Sequence, residues 1–318
     1  KSGIEHTVIP KAGYPFKTVL VSGFMKKNPL QVLLGIFKLF IAFFQSLSIL
    51  LHYQPNLVIG VGGYASGPIV LLARCLGFRT AILEQNTVPG RTNRILGKLV
   101  HTIFLSFDYS AKYFSKEKAQ TLGNPIRQDL LNNFLNSKIP TQKFTLLILG
   151  GSQGSSSINN AIYNSLHLIT EPLHVIHQTG TNDYQKMRDW YQEHHIEADI
   201  HQFIDNMSHA YQKADLIVCR SGATTIAELT VCRKASILIP FPFAADNHQV
   251  FNAQELVNHG ASIMIEEKDL THDGLSTTIT ELIHHRENLI KMEQAAGMLG
   301  KPHATRDIIE YCIEKLIS

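Results

Sequence analysis

Several stretches of this chain carry residues suited to holding phosphates and hydroxyls. Residues 60–68, Gly-Val-Gly-Gly-Tyr-Ala-Ser-Gly-Pro, stand between an apolar run at 56–59 and a helical run at 69–75. Glycines let a backbone approach an anion closely, and the free N–H groups and dipole of a helix start attract phosphate. Gly62, Gly63, Tyr64 and Ser66 are therefore candidate anion ligands, although a turn built only for packing uses the same residue types. The turn also imitates a dinucleotide fingerprint, because Glu84 follows Gly62 by twenty-two residues at the end of the next predicted strand, where an acid would hold a ribose. That reading predicts a nicotinamide-dependent dehydrogenase. Against it, the turn is not at the first strand of its domain, and Glu84 runs on into Gln85-Asn86, a polar cluster suited to a substrate-facing loop.

The second stretch, Gly150-Gly-Ser-Gln-Gly-Ser155, follows an apolar run at 145–149 and opens a helical stretch. Ser152 and Gln153 add side-chain groups to a backbone nest that fits a phosphate or a sugar hydroxyl, with a packing turn as the plainer alternative. The third runs from Cys219 to Glu228 and again passes from strand to helix. Here Ser221 is the expected cap, and Ala223, Thr224 and Thr225 would face a diphosphate. Glu228, one turn in, can offer a carboxylate to a diol or simply cap its own helix. In the fourth, residues 241–253, Asp246, Asn247, His248, Gln249 and Asn252 are poor core material and suit a hydroxyl-rich ligand. Gln249 and Asn252, three apart, would share one helix face. Phe203-Ile204-Asp205 offers backbone groups and an apolar face to a base.

These turns need scaffolding, and the chain supplies it. Short apolar runs at 56–60, 80–83 and 101–105, then at 144–149, 174–177, 216–219 and 235–239, alternate with helical stretches. Such alternation predicts an α/β fold of parallel sheets covered on both faces. At 318 residues two domains are expected. The linker character of residues 123–127 and 138–143 puts the break near Arg127, giving a first domain over 1–126, a second over 127–301, and a C-terminal helix over 302–318 that packs back on the first. Turns at the carboxyl ends of both strand sets imply a cleft with ligands from both sides.

Residues 30–51 are almost wholly apolar, with Gln31, Lys38, Gln45 and His52 recurring every seventh position. Three readings stand: a membrane span, for which Lys38 costs about 2.5–3.5 kcal/mol; a buried core helix; or a helix that packs on its sheet while presenting apolar side chains, with Lys26 and Lys27 nearby, to an anionic membrane surface.

A net charge of +3 gives no basis for nucleic-acid binding. Cys75, Cys219, Cys232 and Cys312 lie far apart, which excludes a disulfide scaffold and favours a reducing compartment. The histidines show no metal-ligand spacing, so no metal site is expected. The chain opens on Lys1, and residues 4–14 read like the middle of a domain. We expect an N-terminal piece beyond it, and nothing resembles a signal peptide.

In order along the chain, Pro10-Lys-Ala-Gly13, residues 60–68, Glu84-Gln-Asn86, Gly123-Asn-Pro-Ile-Arg127, residues 150–154, Phe203-Ile-Asp-Asn-Met207, Arg220-Ser-Gly222 with Glu228, and His248-Gln249 with Asn252-Ala253 resemble the MurG family. Its members are UDP-N-acetylglucosamine:lipid-linked N-acetylmuramyl-peptide transferases of GT-B architecture, two Rossmann-like domains facing a cleft. The resemblance covers nearly the whole chain.

It implies an inverting transfer of N-acetylglucosamine from UDP-GlcNAc to lipid I, forming lipid II for peptidoglycan, by a peripheral protein at the cytoplasmic face of the membrane. It implies no cofactor and no obligatory metal. By the same resemblance Ile204 gives backbone contacts to uracil and Glu228 holds the ribose. Ser152, Ala223, Thr224 and Thr225 cradle the diphosphate, Asn86 and Arg127 complete the donor pocket, and Gln249 and Asn252 read sugar hydroxyls. Gly62, Gly63, Tyr64 and Ser66 form part of the acceptor pyrophosphate site. Two departures stand out. The family's initial glycine turn ending in histidine is not present, and Leu83 stands where many relatives have histidine. Glu84 is then the carboxylate left as candidate general base. A different class of reading makes the chain the nucleotide-sugar-binding subunit of a split glycosyltransferase.

Overall fold

The computed structural model describes residues 5–21, 29–134, 139, 141–151 and 153–318. The first lobe contains α1 (Glu5–Lys11), α2 (Pro29–Tyr53), β1 (Leu57–Gly60), α3 (Gly63–Cys75), β2 (Arg79–Glu84), α4 (Arg91–Leu96), β3 (Thr102–Leu105) and β4 (Ala119–Thr121). After α5 (Gln128–Phe134) the second lobe runs β5 (Phe144–Leu149), α6 (Ser156–Ser165), β6 (Leu173–Gln178), α7 (Tyr184–Glu193), β7 (Ala198–His201), α8 (Met207–Lys213) and β8 (Leu216–Cys219). It continues with α9 (Ala223–Val231), β9 (Ser236–Leu238), α10 (His248–Asn258), β10 (Ser262–Met264), α11 (His272–His284) and α12 (Arg286–Leu299), and α13 (Ala304–Tyr311) follows it near the chain end.

Both sheets are parallel. The first has the order β1-β2-β3-β4 and the second β10-β9-β8-β5-β6-β7. In β5 the two faces separate residue by residue, as a period of two requires. Leu147 and Leu149 enter a core with Tyr211, Ile217, Ile226 and Leu229, while Leu146 and Ile148 enter another with Val175, Trp190, Val218 and Ile279. Fully burying each such side chain stabilises by about 1.5–3 kcal/mol, which is why a continuous apolar run marks a strand covered on both sides. In the first sheet Ile82, Ile103 and Leu105 pack with Val70 and Leu96. On its other face Ala81, Leu83 and Phe104 meet Ile308, Cys312 and Leu316 from α13 and the π turn that continues it, so the chain end returns to the first lobe.

Every strand that the apolar runs predict is present, and β4, β7 and β10 are additional. All three are sheet edges. An edge strand has one exposed flank and need not be apolar throughout, and Ala198-Asp-Ile-His201 accordingly alternates half-buried with exposed positions.

Ala42, Ser46 and Leu50 of α2 are buried, while Phe37, Phe40, Phe44 and Leu51 are exposed. Lys38 and Gln45 lie half-buried, Gln45 accepting the Leu20 N–H at 2.7 Å. The outward face of α2 is thus aromatic. No helix among the described residues is long and apolar enough to cross a membrane. Lys26 and Lys27 lie outside the described residues.

Candidate functional site

The second-lobe pocket is built from turns at the carboxyl ends of β5 and β8, with the turn after β6 packed against the first of them. After β5 the chain turns so tightly that a Cβ on Gly150 would lie 2.3 Å from the Ser155 nitrogen. Gly154, at φ +77°, faces the turn after β6, and a Cβ there would lie 2.2 Å from the Thr179 oxygen. No side chain fits either position. α6 then starts at the pocket edge, its Ser155 Oγ accepting the Ile158 N–H. Ser152 lies outside the described residues.

Arg220, at the end of β8, forms the floor. Its Nη2 donates to Ser155 Oγ and Ser157 Oγ at 2.8 and 2.7 Å, its Nη1 donates to the Ile239 and Pro240 oxygens, and the guanidinium pairs with Glu267 at 2.7 Å. The sequence places Arg220 in a motif without giving it this role. Gly150, Gly154, Ser157, Arg220, Thr225 and Gln249 line a pocket of about 600 Å³.

α9 starts opposite. Its N-cap is Gly222, with no side-chain cap. The expected cap, Ser221, is instead fully buried and donates its hydroxyl to the Gln249 oxygen at 2.8 Å. The first N–H groups of α9 are therefore not taken by a cap, and Ala223, Thr224 and Thr225 form its opening turn. Glu228 is 8 % exposed. Tyr211 donates its hydroxyl to Glu228 Oε2 at 3.2 Å, and Arg127 Nε stands 3.8 Å from Oε1. Burial raises the carboxyl's pKa, opposed by the Arg127 charge and the Tyr211 hydrogen bond. This tension between desolvation and a partly exposed cation is typical of a ligand-binding carboxylate.

Ile204 is buried, and its N–H donates to Gln178 Oε1, so the N–H is taken and the carbonyl is the backbone group it can offer a ligand. Gln249 directs Oε1 to the Phe241 N–H at 2.9 Å, so the group it has left for a ligand is its amide nitrogen. Tyr211 and Gln178 escaped sequence reading because each acts through a contact made only in the fold.

Two expected roles are altered by the geometry. Glu84 is 1 % exposed. Its Oε1 accepts from the Asn86 N–H and Nδ2, and its Oε2 from the Gly90 N–H and Asn93 Nδ2. The proposed base, equally the acid that a dehydrogenase would need, is instead spent on ordering its own loop. Asn252 is fully buried and engaged at both ends. Its Oδ1 accepts from Thr87 N and Oγ1, and its Nδ2 donates to Asn86 Oδ1 and the Ser221 oxygen. In this arrangement it joins the lobes and has no group free for a sugar.

On the first-lobe side, Gly62 is the N-cap of α3 at φ +90°. Gly63, Tyr64 and Ser66 belong to the first turns of α3 rather than to a loop running to Pro68. Ser66 donates to the Gly62 oxygen, and Gln85 Nε2 donates to the Val61 oxygen, tying this turn to the loop after β2. Among the described residues no cluster of His, Cys, Asp and Glu has the geometry of a metal site.

Comparison with known proteins agrees with this architecture. Residues 1–105 match the glycosyltransferase family 28 N-terminal domain and residues 145–310 its C-terminal domain. The chain is 46% identical to the UDP-N-acetylglucosamine--N-acetylmuramyl-(pentapeptide) pyrophosphoryl-undecaprenol N-acetylglucosamine transferase of Myxococcus xanthus (strain DK1622), over 99% of this chain and 83% of that one. It is 43% identical to the enzyme of the same name from Syntrophus aciditrophicus (strain SB), over 98% and 88%. The crystal structure of Acinetobacter baumannii MurG superposes with a TM-score of 0.79 at 28% identity, covering 98% of this chain and 87% of that one. Two parallel-sheet lobes of GT-B architecture and this degree of identity together place the chain in the MurG family of UDP-N-acetylglucosamine-dependent transferases.

Proposed function

We propose that the chain transfers N-acetylglucosamine from UDP-GlcNAc to lipid I, forming lipid II for peptidoglycan. The supporting observation is the second-lobe pocket, in which the uncapped start of α9 and the start of α6 converge beside Arg220. In the proposed reaction the acceptor sugar hydroxyl attacks the anomeric carbon, the bond to the UDP phosphate oxygen breaks, and configuration inverts. Charge gathers on the departing diphosphate. Helix starts stabilise such charge by about 0.3–1 kcal/mol each at exposed sites, and by up to about 2 kcal/mol when partly buried. Each hydrogen bond to a charged group adds about 1.5–3 kcal/mol. These groups meet the charge without an obligatory metal.

Uracil lies against Phe203 and the Ile204 carbonyl, the ribose hydroxyls on Glu228, and the diphosphate on residues 150–155 with Ala223, Thr224 and Thr225. Gln249 takes the sugar through its amide, and Asn86 and Arg127 close the pocket from the hinge side. The acceptor pyrophosphate sits at the start of α3, on Gly62, Gly63, Tyr64 and Ser66. The muramyl hydroxyl needs a general base, and the hydrogen bonds that Glu84 accepts within its own loop weigh against it in that role.

The lipid-linked acceptor requires a membrane-facing surface. Phe37, Phe40, Phe44 and Leu51 on the outward face of α2 suit insertion at the headgroup level of an anionic bilayer. The four cysteines are all free, in keeping with the cytoplasmic face. Incubation with radiolabelled UDP-GlcNAc and a lipid I analogue, in chelator-treated buffer, tests the reading. Label in the lipid fraction is expected, and a chain that neither transfers the label nor binds UDP-GlcNAc would reject it.

A further inference from the structure

β6 lies between β5 and β7, so its last residue stands between two loops of the donor pocket. Gln178 is in register with Leu149 on one side and His201 on the other. Leu149 leads into the glycine turn at 150–155, and His201 into the loop carrying Phe203 and Ile204. Gln178 is 3 % exposed, and its carboxamide is used at both ends. Nε2 donates to the Gly151 oxygen at 2.9 Å, and Oε1 accepts from the Ile204 N–H at 2.8 Å.

Only a group with a donor and an acceptor on one planar head makes both bonds. A carboxylate would set an oxygen against the Gly151 carbonyl, and an aliphatic side chain would leave both backbone groups without this partner. We propose that Gln178 is a positioning residue for the donor, fixing the separation between the base loop and the diphosphate turn so that one nucleotide engages both at once. This rests on the placement of uracil and diphosphate given above. Two contacts held at the right spacing reinforce each other, because the second forms at high effective concentration, and slack between the loops forfeits that gain.

The test measures inhibition constants of uridine and of UDP against the donor for wild type, Gln178→Glu and Gln178→Leu, with melting temperatures alongside. Uridine uses the base loop and Glu228 without the diphosphate turn, whereas UDP engages the diphosphate turn as well. The expected result is a tighter grip on UDP than on uridine in the wild type, and an advantage smaller by about tenfold in both variants. Donor KM rises with it, and acceptor KM does not change. Variants that keep the wild-type ratio of UDP to uridine, or that weaken both ligands in parallel with a lower melting temperature, would overturn the inference. UDP binding insensitive to Glu228→Ala would overturn the nucleotide placement itself, and this inference with it.

Discussion

Asn252 of α10 accepts two hydrogen bonds on its Oδ1 from Thr87, one from the backbone N–H at 3.0 Å and one from the hydroxyl at 2.9 Å. Thr87 belongs to the first lobe and Asn252 to the second, and both are fully buried. The Thr87 carbonyl in turn accepts from Ser110 Oγ, and Glu84 orders the adjoining residues. A single amide thus fastens the second lobe to a loop stiffened from beneath.

Breaking this link should loosen the cleft. Asn252→Asp puts a carboxylate oxygen against Asn86 Oδ1 and the Ser221 carbonyl, and we expect kcat/KM for the donor to fall by about tenfold or more. Thr87→Val removes the hydroxyl but keeps the backbone donor and costs less. In a double-mutant cycle the two substitutions should couple by about 0.5–3 kcal/mol. Strict additivity would show that the contact does not matter for turnover.

Glu228→Gln should separate binding from stability. Burial raises the carboxyl's pKa in the fold, so between the unfolded and folded values the native state holds the proton more tightly. That contribution to stability is full at low pH and is lost as pH rises through the window. At neutral pH Glu228→Gln should therefore melt no lower than wild type, while UDP affinity falls about tenfold or more. A drop in melting temperature with unchanged UDP affinity would make Glu228 a structural residue only.

His177 imposes the opposite slope. Fully buried on β6, it meets the Tyr191 hydroxyl at one ring nitrogen and Asn159 Oδ1 at the other, each at 3.0 Å, and burial depresses its pKa to about 3. The unfolded chain takes up this proton near pH 6.5 and the native state does not, so stability falls as pH drops from about 6.5 towards 3, by roughly 1.4 kcal/mol per unit. Urea denaturation at pH 6.5 and 5 should reveal a loss of about 2 kcal/mol from this group. His177→Gln should remove that part of the slope, and an identical slope in the variant would contradict the assignment.

Gly154→Ala probes the glycine turn. With φ at +77° and the Thr179 oxygen 2.2 Å from the added carbon, the turns after β5 and β6 must part. The expected cost is about 3 kcal/mol or more in urea denaturation, with donor binding lost as well. Gly151→Ala, with nothing within 4 Å of its Cβ but φ at +87°, should cost less.

The interior strands were legible in the sequence because burial on both faces demands near-continuous apolar runs, as in Phe144–Leu149. The edge strands β4, β7 and β10 were not, since one open flank relaxes that demand, whereas the edge strand β1 kept an apolar run and was read. The glycine turns and the place of Glu228 in the helix after β8 were legible from local pattern. Roles created by long-range contacts were not. Tyr211 reaches Glu228 across seventeen positions, and Gln178 reaches Gly151 across twenty-seven. Composition marked Asn252 as polar, but only the fold shows its amide consumed between the lobes.

The most direct measurement is a crystal structure of the chain with UDP-GlcNAc. The account predicts the diphosphate at the starts of α6 and α9 above Arg220, with the ribose hydroxyls on Glu228 and the base beside Ile204. A donor bound at the start of α3, or a second-lobe pocket left empty at saturating UDP-GlcNAc, would contradict it.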